Sequence, residues 1–169
     1  NAHSGFSLDY LFEYAIQENS GENPVDYRAN YRHLELSFGY RGASLVLGQE
    51  VLGADGAGMF VSPLGNLHDF QGWADQAVNS SLGNINGGIK DQYLGLAYAC
   101  TELFSVSLNY HDYRSDQALA GNSDIGSEWG LVARSELNEY NILFKYADYS
   151  ADNVGEDTKR LWLQLGLDF

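Results

Sequence analysis

The stretch Phe6-Ser7-Leu8-Asp9-Tyr10-Leu11-Phe12-Glu13-Tyr14-Ala15-Ile16 decides the fold. Phe6, Leu8, Tyr10, Phe12, Tyr14 and Ile16 share one parity, and Ser7, Asp9, Leu11, Glu13 and Ala15 share the other. Successive side chains of a β-strand point to opposite faces, so this spacing predicts a strand with one apolar and one mostly polar face. The same alternation recurs seven more times, near 31–40, 43–52, 92–100, 103–113, 128–135, 140–149 and 160–169. In the last of these, Leu161, Leu163, Leu165, Leu167 and Phe169 oppose Trp162, Gln164, Gly166 and Asp168.

The connections alternate in length. Short turns are expected at Arg41–Gly42, Thr101–Glu102 and Glu136–Asn138, and long loops at 18–30, 53–91, 114–127 and 150–159. That asymmetry fits the short periplasmic turns and long extracellular loops of outer-membrane barrels. With an even strand number, both ends of the chain fall on the short-turn side. The 169 residues read as a single domain. Within it, 53–91 is expected to be an extracellular or pore-folding loop, packed down by Phe70 and Trp73.

Composition agrees with strands. Pro is scarce at 2 residues, Gly abundant at 19, and aromatics make up 14% of the chain, with 12 Tyr. No apolar run approaches the roughly 20 residues that a transmembrane helix needs. The negative mean hydropathy does not exclude a barrel, in which only alternate residues meet lipid. A net charge of −14 argues against nucleic acid as a partner. The one cysteine, Cys100, leaves the redox compartment open. A start at Asn1 rather than Met is expected of a processed mature protein or of a piece of a longer one.

The competing fold is a soluble barrel or a two-sheet sandwich with the apolar faces turned inward. Counting favours the outward orientation. The eight apolar faces hold about thirty bulky side chains, whereas the packed interior of an eight-stranded barrel takes about a dozen. Aromatics also cluster at both ends of the strands. Phe6, Tyr40, Tyr98, Phe104, Tyr140 and Phe169 lie near the short turns, and Tyr14, Tyr110, Trp129 and Tyr146 near the long loops, like interfacial girdles. The expected fold is therefore an all-β, antiparallel transmembrane barrel. If it closes with eight strands, the Phe6–Ile16 strand pairs with the last one; in a part of a larger barrel, both edges stay open.

The polar parity supplies candidate lumen-lining residues: Asp9, Glu13, Glu35, Arg134, Lys145 and Gln164, with Arg160 near the loop side. In a wide barrel they would line a channel and set ion preference; in a narrow one they would pair with each other. No catalytic constellation stands out. His111-Asp112 and His68-Asp69 are neighbours in sequence, and neighbouring strand residues face opposite sides. Asp148, Asp152, Glu156 and Asp157 form an acidic tract with no EF-hand spacing, for which a solvated loop is the preferred reading over a metal site. No cofactor is expected.

Two resemblances follow from the residues. Leu161-Trp162-Leu163-Gln164-Leu165-Gly166-Leu167-Asp168-Phe169 resembles the C-terminal assembly signal of outer-membrane proteins. Phe60-Val61-Ser62-Pro63-Leu64-Gly65-Asn66-Leu67-His68-Asp69-Phe70-Gln71-Gly72-Trp73-Ala74-Asp75 resembles the loop signature of the alginate-export family of outer-membrane porins, with His68, Phe70, Trp73 and Asp75 as its motif residues. The strands at 90–98 and 106–111 are similar to the two that follow that loop in the family. Asp69 stands where members often carry lysine, and the family's barrels have more strands, so the likeness is to their C-terminal part. The resemblance implies a porin-like channel in the bacterial outer membrane that passes hydrophilic solutes passively. The implied partners are outer-membrane lipid and lipopolysaccharide, and the barrel assembly machinery acting through the strand that ends at Phe169. No particular oligomeric state follows. The alternative expectation is a small closed barrel with a structural role or a role carried by its loops.

Overall fold

The computed structural model describes residues 5–61, 72–76, 87–119 and 122–168. His68, Phe70 and Phe169 lie outside them. Eight strands follow in chain order: β1 (Phe6–Glu18), β2 (Arg28–Tyr40), β3 (Ala43–Leu52), β4 (Ile89–Ala99), β5 (Phe104–Leu119), β6 (Asn122–Leu137), β7 (Tyr140–Ala151) and β8 (Thr158–Leu167). They form one antiparallel meander, each strand paired with the next. This is a single sheet, not two packed sheets.

The sheet is not closed. β1 pairs with β2 and β8 with β7, and β1 and β8 do not pair with each other. Closure by pairing of the first and last strands is therefore not observed, and of the two expected arrangements it is the one with both edges open that the sheet adopts. The polar face carries Tyr31, His33, Tyr93, His111, Tyr113, Tyr149 and Trp162 and also receives residues 72–76.

Register preserves the alternation over most of the sheet. Leu8 faces Phe38, Tyr10 faces Leu36, Phe144 faces Leu163 and Tyr146 faces Leu161, so apolar side chains sit beside apolar side chains. That apolar face is the exposed one. Tyr10 is 81% exposed and Leu165 71%, whereas Tyr113 and Glu128 of the polar face are at 1%. This reverses the usual burial order. The buried cluster of Ala74, Ile89, Tyr113, Ile125, Ala147 and Tyr149 lies toward the long-loop end. No helix among the described residues is long and apolar enough to cross a membrane.

Several boundaries differ from the sequence reading, and β2 already begins at Arg28, inside the expected 18–30 loop. The segment 114–127 is not a loop throughout, because β5 runs on to Leu119 and β6 begins at Asn122. Apart from Ile125, this arm is mostly polar, so the backbone pairs where no hydrophobic alternation marks it. Its register shifts at Tyr113/Arg114 and again before Leu119. β4 starts at Ile89, three positions before the alternation becomes visible at Gln92, and this shortens the 53–91 connection.

That connection opens with a small hairpin in which Ala54 bridges Met59. Asp55 organises it: Oδ2 accepts the Arg28 N–H at 2.7 Å, and Oδ1 accepts those of Ala57 and Gly58 at 2.9 and 3.0 Å. These donors, the Arg28 N–H first, hold the Asp55 carboxyl below its ordinary value of 3.8. A depressed carboxylate stabilises the fold above its unfolded pKa and loses that contribution as pH falls through the folded value. Amide exchange at Arg28, Ala57 and Gly58 should therefore stay protected from neutral pH down to the ordinary carboxylate range and lose protection below it. In Asp55→Ala the protection should be missing at every pH.

Candidate functional site

Strand register assembles two rows across the polar face. One runs Glu35, Gly48, Tyr93, His111, Glu128, Tyr149; the next runs Glu13, His33, Glu50, Asp91, Tyr113. Gly48 is needed for space, since a Cβ there would enter the Tyr93 ring. With that room, the Tyr93 hydroxyl reaches across β3 to donate to Glu35 Oε2 at 2.6 Å, and it stands 2.8 Å from His33 Nε2. A hydroxyl that donates to Glu35 accepts from His33, which places the imidazole proton on Nε2. Tyr31 donates to Glu50 at 2.9 Å and stands 3.4 Å from Glu13.

On the neighbouring strands, His111 Nδ1 donates to Asp91 Oδ2 at 2.8 Å. Asp91 is fully buried, and its Oδ1 accepts no hydrogen bond among the described residues. Aromatic rings continue the line. Tyr93 stacks on His111 and His111 on Tyr113, both at 5.6 Å between centroids, and Tyr113 meets Tyr149 at 6.2 Å. The result is a continuous band of rings and carboxylates, in which hydrogen bonds to charged acceptors are the strong ones.

Residues 72–76 lie against this band. Glu128 Oε1 accepts the Trp73 N–H at 2.6 Å, and Oε2 accepts that of Ala74 at 3.1 Å. Gly72 has φ +79, and a Cβ on it would run into the Tyr113 hydroxyl and the Glu128 carboxylate. The Trp73 ring rests over Gly130, where a side chain would occupy the same volume. Lys145 Nζ sits 4.7 Å from the Trp73 ring centroid and 5.9 Å from that of Trp162. Arg160 closes the segment by hydrogen-bonding the Asp75 carboxylate. Beside this seat a cavity of about 360 Å³ opens between Trp73, Tyr93, His33, His111, Glu35 and Glu50.

The expected lumen residues therefore divide. Glu13 and Glu35 belong to the hydrogen-bonded band, and Lys145 and Arg160 hold residues 72–76. Asp9, Arg134 and Gln164 are exposed and lie outside both groups. His111 takes Asp91, two strand positions from its register partner, rather than the adjacent Asp112, whose carboxylate pairs with Arg114. Tyr31, His33, Glu50, Asp91, Tyr93, Tyr113, Glu128 and Tyr149 are participants that the sequence reading did not select. Their signal was parity: each falls on the polar face of its strand. In the acidic tract, Asp148 pairs with Lys159 and Asp157 accepts the Ala151 N–H. No group of three potential metal ligands occurs among the described residues.

Fold and site define an open, antiparallel eight-stranded sheet with an exposed apolar face and an ordered, acid-rich polar face. Compared with protein-family models, curated proteins and solved structures, the chain matches none.

Glu128→Ala should release residues 72–76, because each hydrogen bond to a charged acceptor contributes about 1.5–3 kcal/mol. Chymotrypsin cleavage after Trp73 in the folded protein should accelerate, with Glu128→Gln intermediate. Gly130→Val should produce the same release through bulk alone, with Glu128 intact.

Proposed function

We propose that this chain forms wall of a porin-like channel in the bacterial outer membrane, of the type found in alginate-export porins, and passes hydrophilic solutes by passive diffusion. The observation that carries the reading is the reversed burial. Phe6, Leu8, Tyr10, Phe12 and Leu161, Leu163, Leu165 are exposed on one face, while the other is hydrogen-bonded, acid-rich and opens on a cavity. Water penalises a contiguous apolar surface of this kind, and lipid accepts it. The ordered carboxylates and hydroxyls would then face an aqueous path. No enzymatic step is part of this reading.

In lipid, an open strand edge leaves backbone N–H and C=O groups without partners. The channel reading therefore has β1 and β8 paired with strands beyond these eight, from another copy or from further chain. Lipid and lipopolysaccharide would cover the apolar face, and the assembly machinery would engage β8 and Phe169. A second reading, favoured by the firm seating of residues 72–76, is a wall filled on its polar side, with a structural or loop-mediated role.

Single-channel recording in planar bilayers separates the two. Stable steps on the nanosiemens scale support the channel; a folded, heat-modifiable and silent protein supports the filled wall. The membrane placement has its own test. Leu163→Arg, on the exposed apolar face, should destabilise the protein folded in lipid vesicles by about 2–4 kcal/mol, the cost of Arg near the bilayer midplane. An unchanged stability would count against lipid contact at that face.

A further inference from the structure

Residues 72–76 form a strained turn. Gly72 and Asp75 both take left-handed backbone, at φ +79 and +58, and bracket Trp73 and Ala74. Glycine adopts that region freely, whereas a residue with a side chain holds it only where its surroundings impose it, and such residues cluster at clamps and switches. The other two among the described residues, Arg41 and Asn138, stand in hairpin turns, where the paired strands on either side fix them. Asp75 has no such frame. Its carboxylate is taken by Arg160 of β8 instead.

The segment is held at separate points. Glu128 of β6 accepts the Trp73 and Ala74 N–H groups, the Trp73 ring lies over Gly130 with Lys145 of β7 beside it, and Ala74 is fully buried beside β5 and β7. Residues 72–76 belong to no strand, so lifting them breaks none of the seven strand pairings. Contacts of this kind open locally while the sheet stays folded. The same segment is also a wall of the cavity, since Gly72 and Trp73 line it together with His33, Glu35, Glu50 and Tyr93. Behind that wall stand Gly130, Lys145 and Arg160 of the same polar face. Removing the wall joins the cavity to the space over β6, β7 and β8.

We infer that residues 72–76 are a built-in strap, which narrows the path along the polar face when seated and widens it on release. This rests on the channel reading above. It makes the seated segment one of two states of the channel, not a permanent filling.

Single-channel recording, paired with chymotrypsin cleavage after Trp73 of the folded protein in detergent, tests the strap. The wild-type channel should dwell at a small conductance with brief excursions to a larger one. Each lost hydrogen bond to a charged acceptor should raise the share of time at the larger level by about tenfold. Glu128→Ala and Arg160→Gln should therefore both dwell there longer. Gly130→Val, which displaces the Trp73 ring by bulk and leaves Glu128 and Arg160 in place, should do the same. Arg160 is partly exposed, so its variant serves if substitution of the buried Glu128 prevents folding. Glu102→Gln, at an exposed bend, should leave both levels and their shares unchanged. Cleavage should rise in step with the share at the larger level. Cleavage that accelerates while conductance stays the same overturns the inference and leaves the channel reading standing. A folded protein that is silent both as wild type and in every released variant overturns both.

Discussion

The structure depends on parity. The seven strand pairings mostly set apolar beside apolar and polar beside polar, and a slip of one residue in any of them would exchange the faces of every strand beyond it. The turns help to fix this register. Arg41 and Gly42 both take positive φ between β2 and β3, and Asn138 does so between β6 and β7. Where the face no longer demands alternation, as beyond Tyr113 on β5, the register shifts.

Parity then makes the polar face a place where chemistry accumulates. Residues far apart in sequence, such as Glu35 and Tyr93 or His111 and Glu128, become neighbours because the rows run straight across the sheet. Glycine decides where long side chains go. Gly48 lets Tyr93 lie across β3, and Gly130 gives the Trp73 ring its floor. Glu128 uses both carboxylate oxygens on backbone N–H groups of the incoming segment, so that segment is held by main chain as well as by its side chains. The unfavourable burial of Glu128 is offset because both oxygens have donors.

Much of this was legible in the sequence. All eight strands, their order of pairing and the identity of the two faces followed from period-2 alternation, since the same physics that selects residues on a half-exposed strand writes the pattern. The strand ends were less visible. Ile89–Asp91 and the Arg114–Leu119 arm pair through backbone hydrogen bonds that leave no mark on side-chain polarity. The site was half legible: Glu13, Glu35, Lys145, Arg160, Trp73 and Asp75 were selected, but their partners were not. The link between His111 and Asp91 depends on β4–β5 register, and that of Glu128 with Trp73 on where a long connection folds back. Neither is a local property of the chain.

The ring-to-ring line Tyr93, His111, Tyr113, Tyr149 spans β4, β5 and β7. Contacts of this kind resist shear between neighbouring strands, and Trp73 with Lys145 extends the resistance toward β8. Stiffness is thereby concentrated in the middle of the sheet. Toward the β1 margin the rings give way to polar ties, Tyr31 to Glu13 and Gln17 to Val61, so the two ends of the sheet are braced by different means.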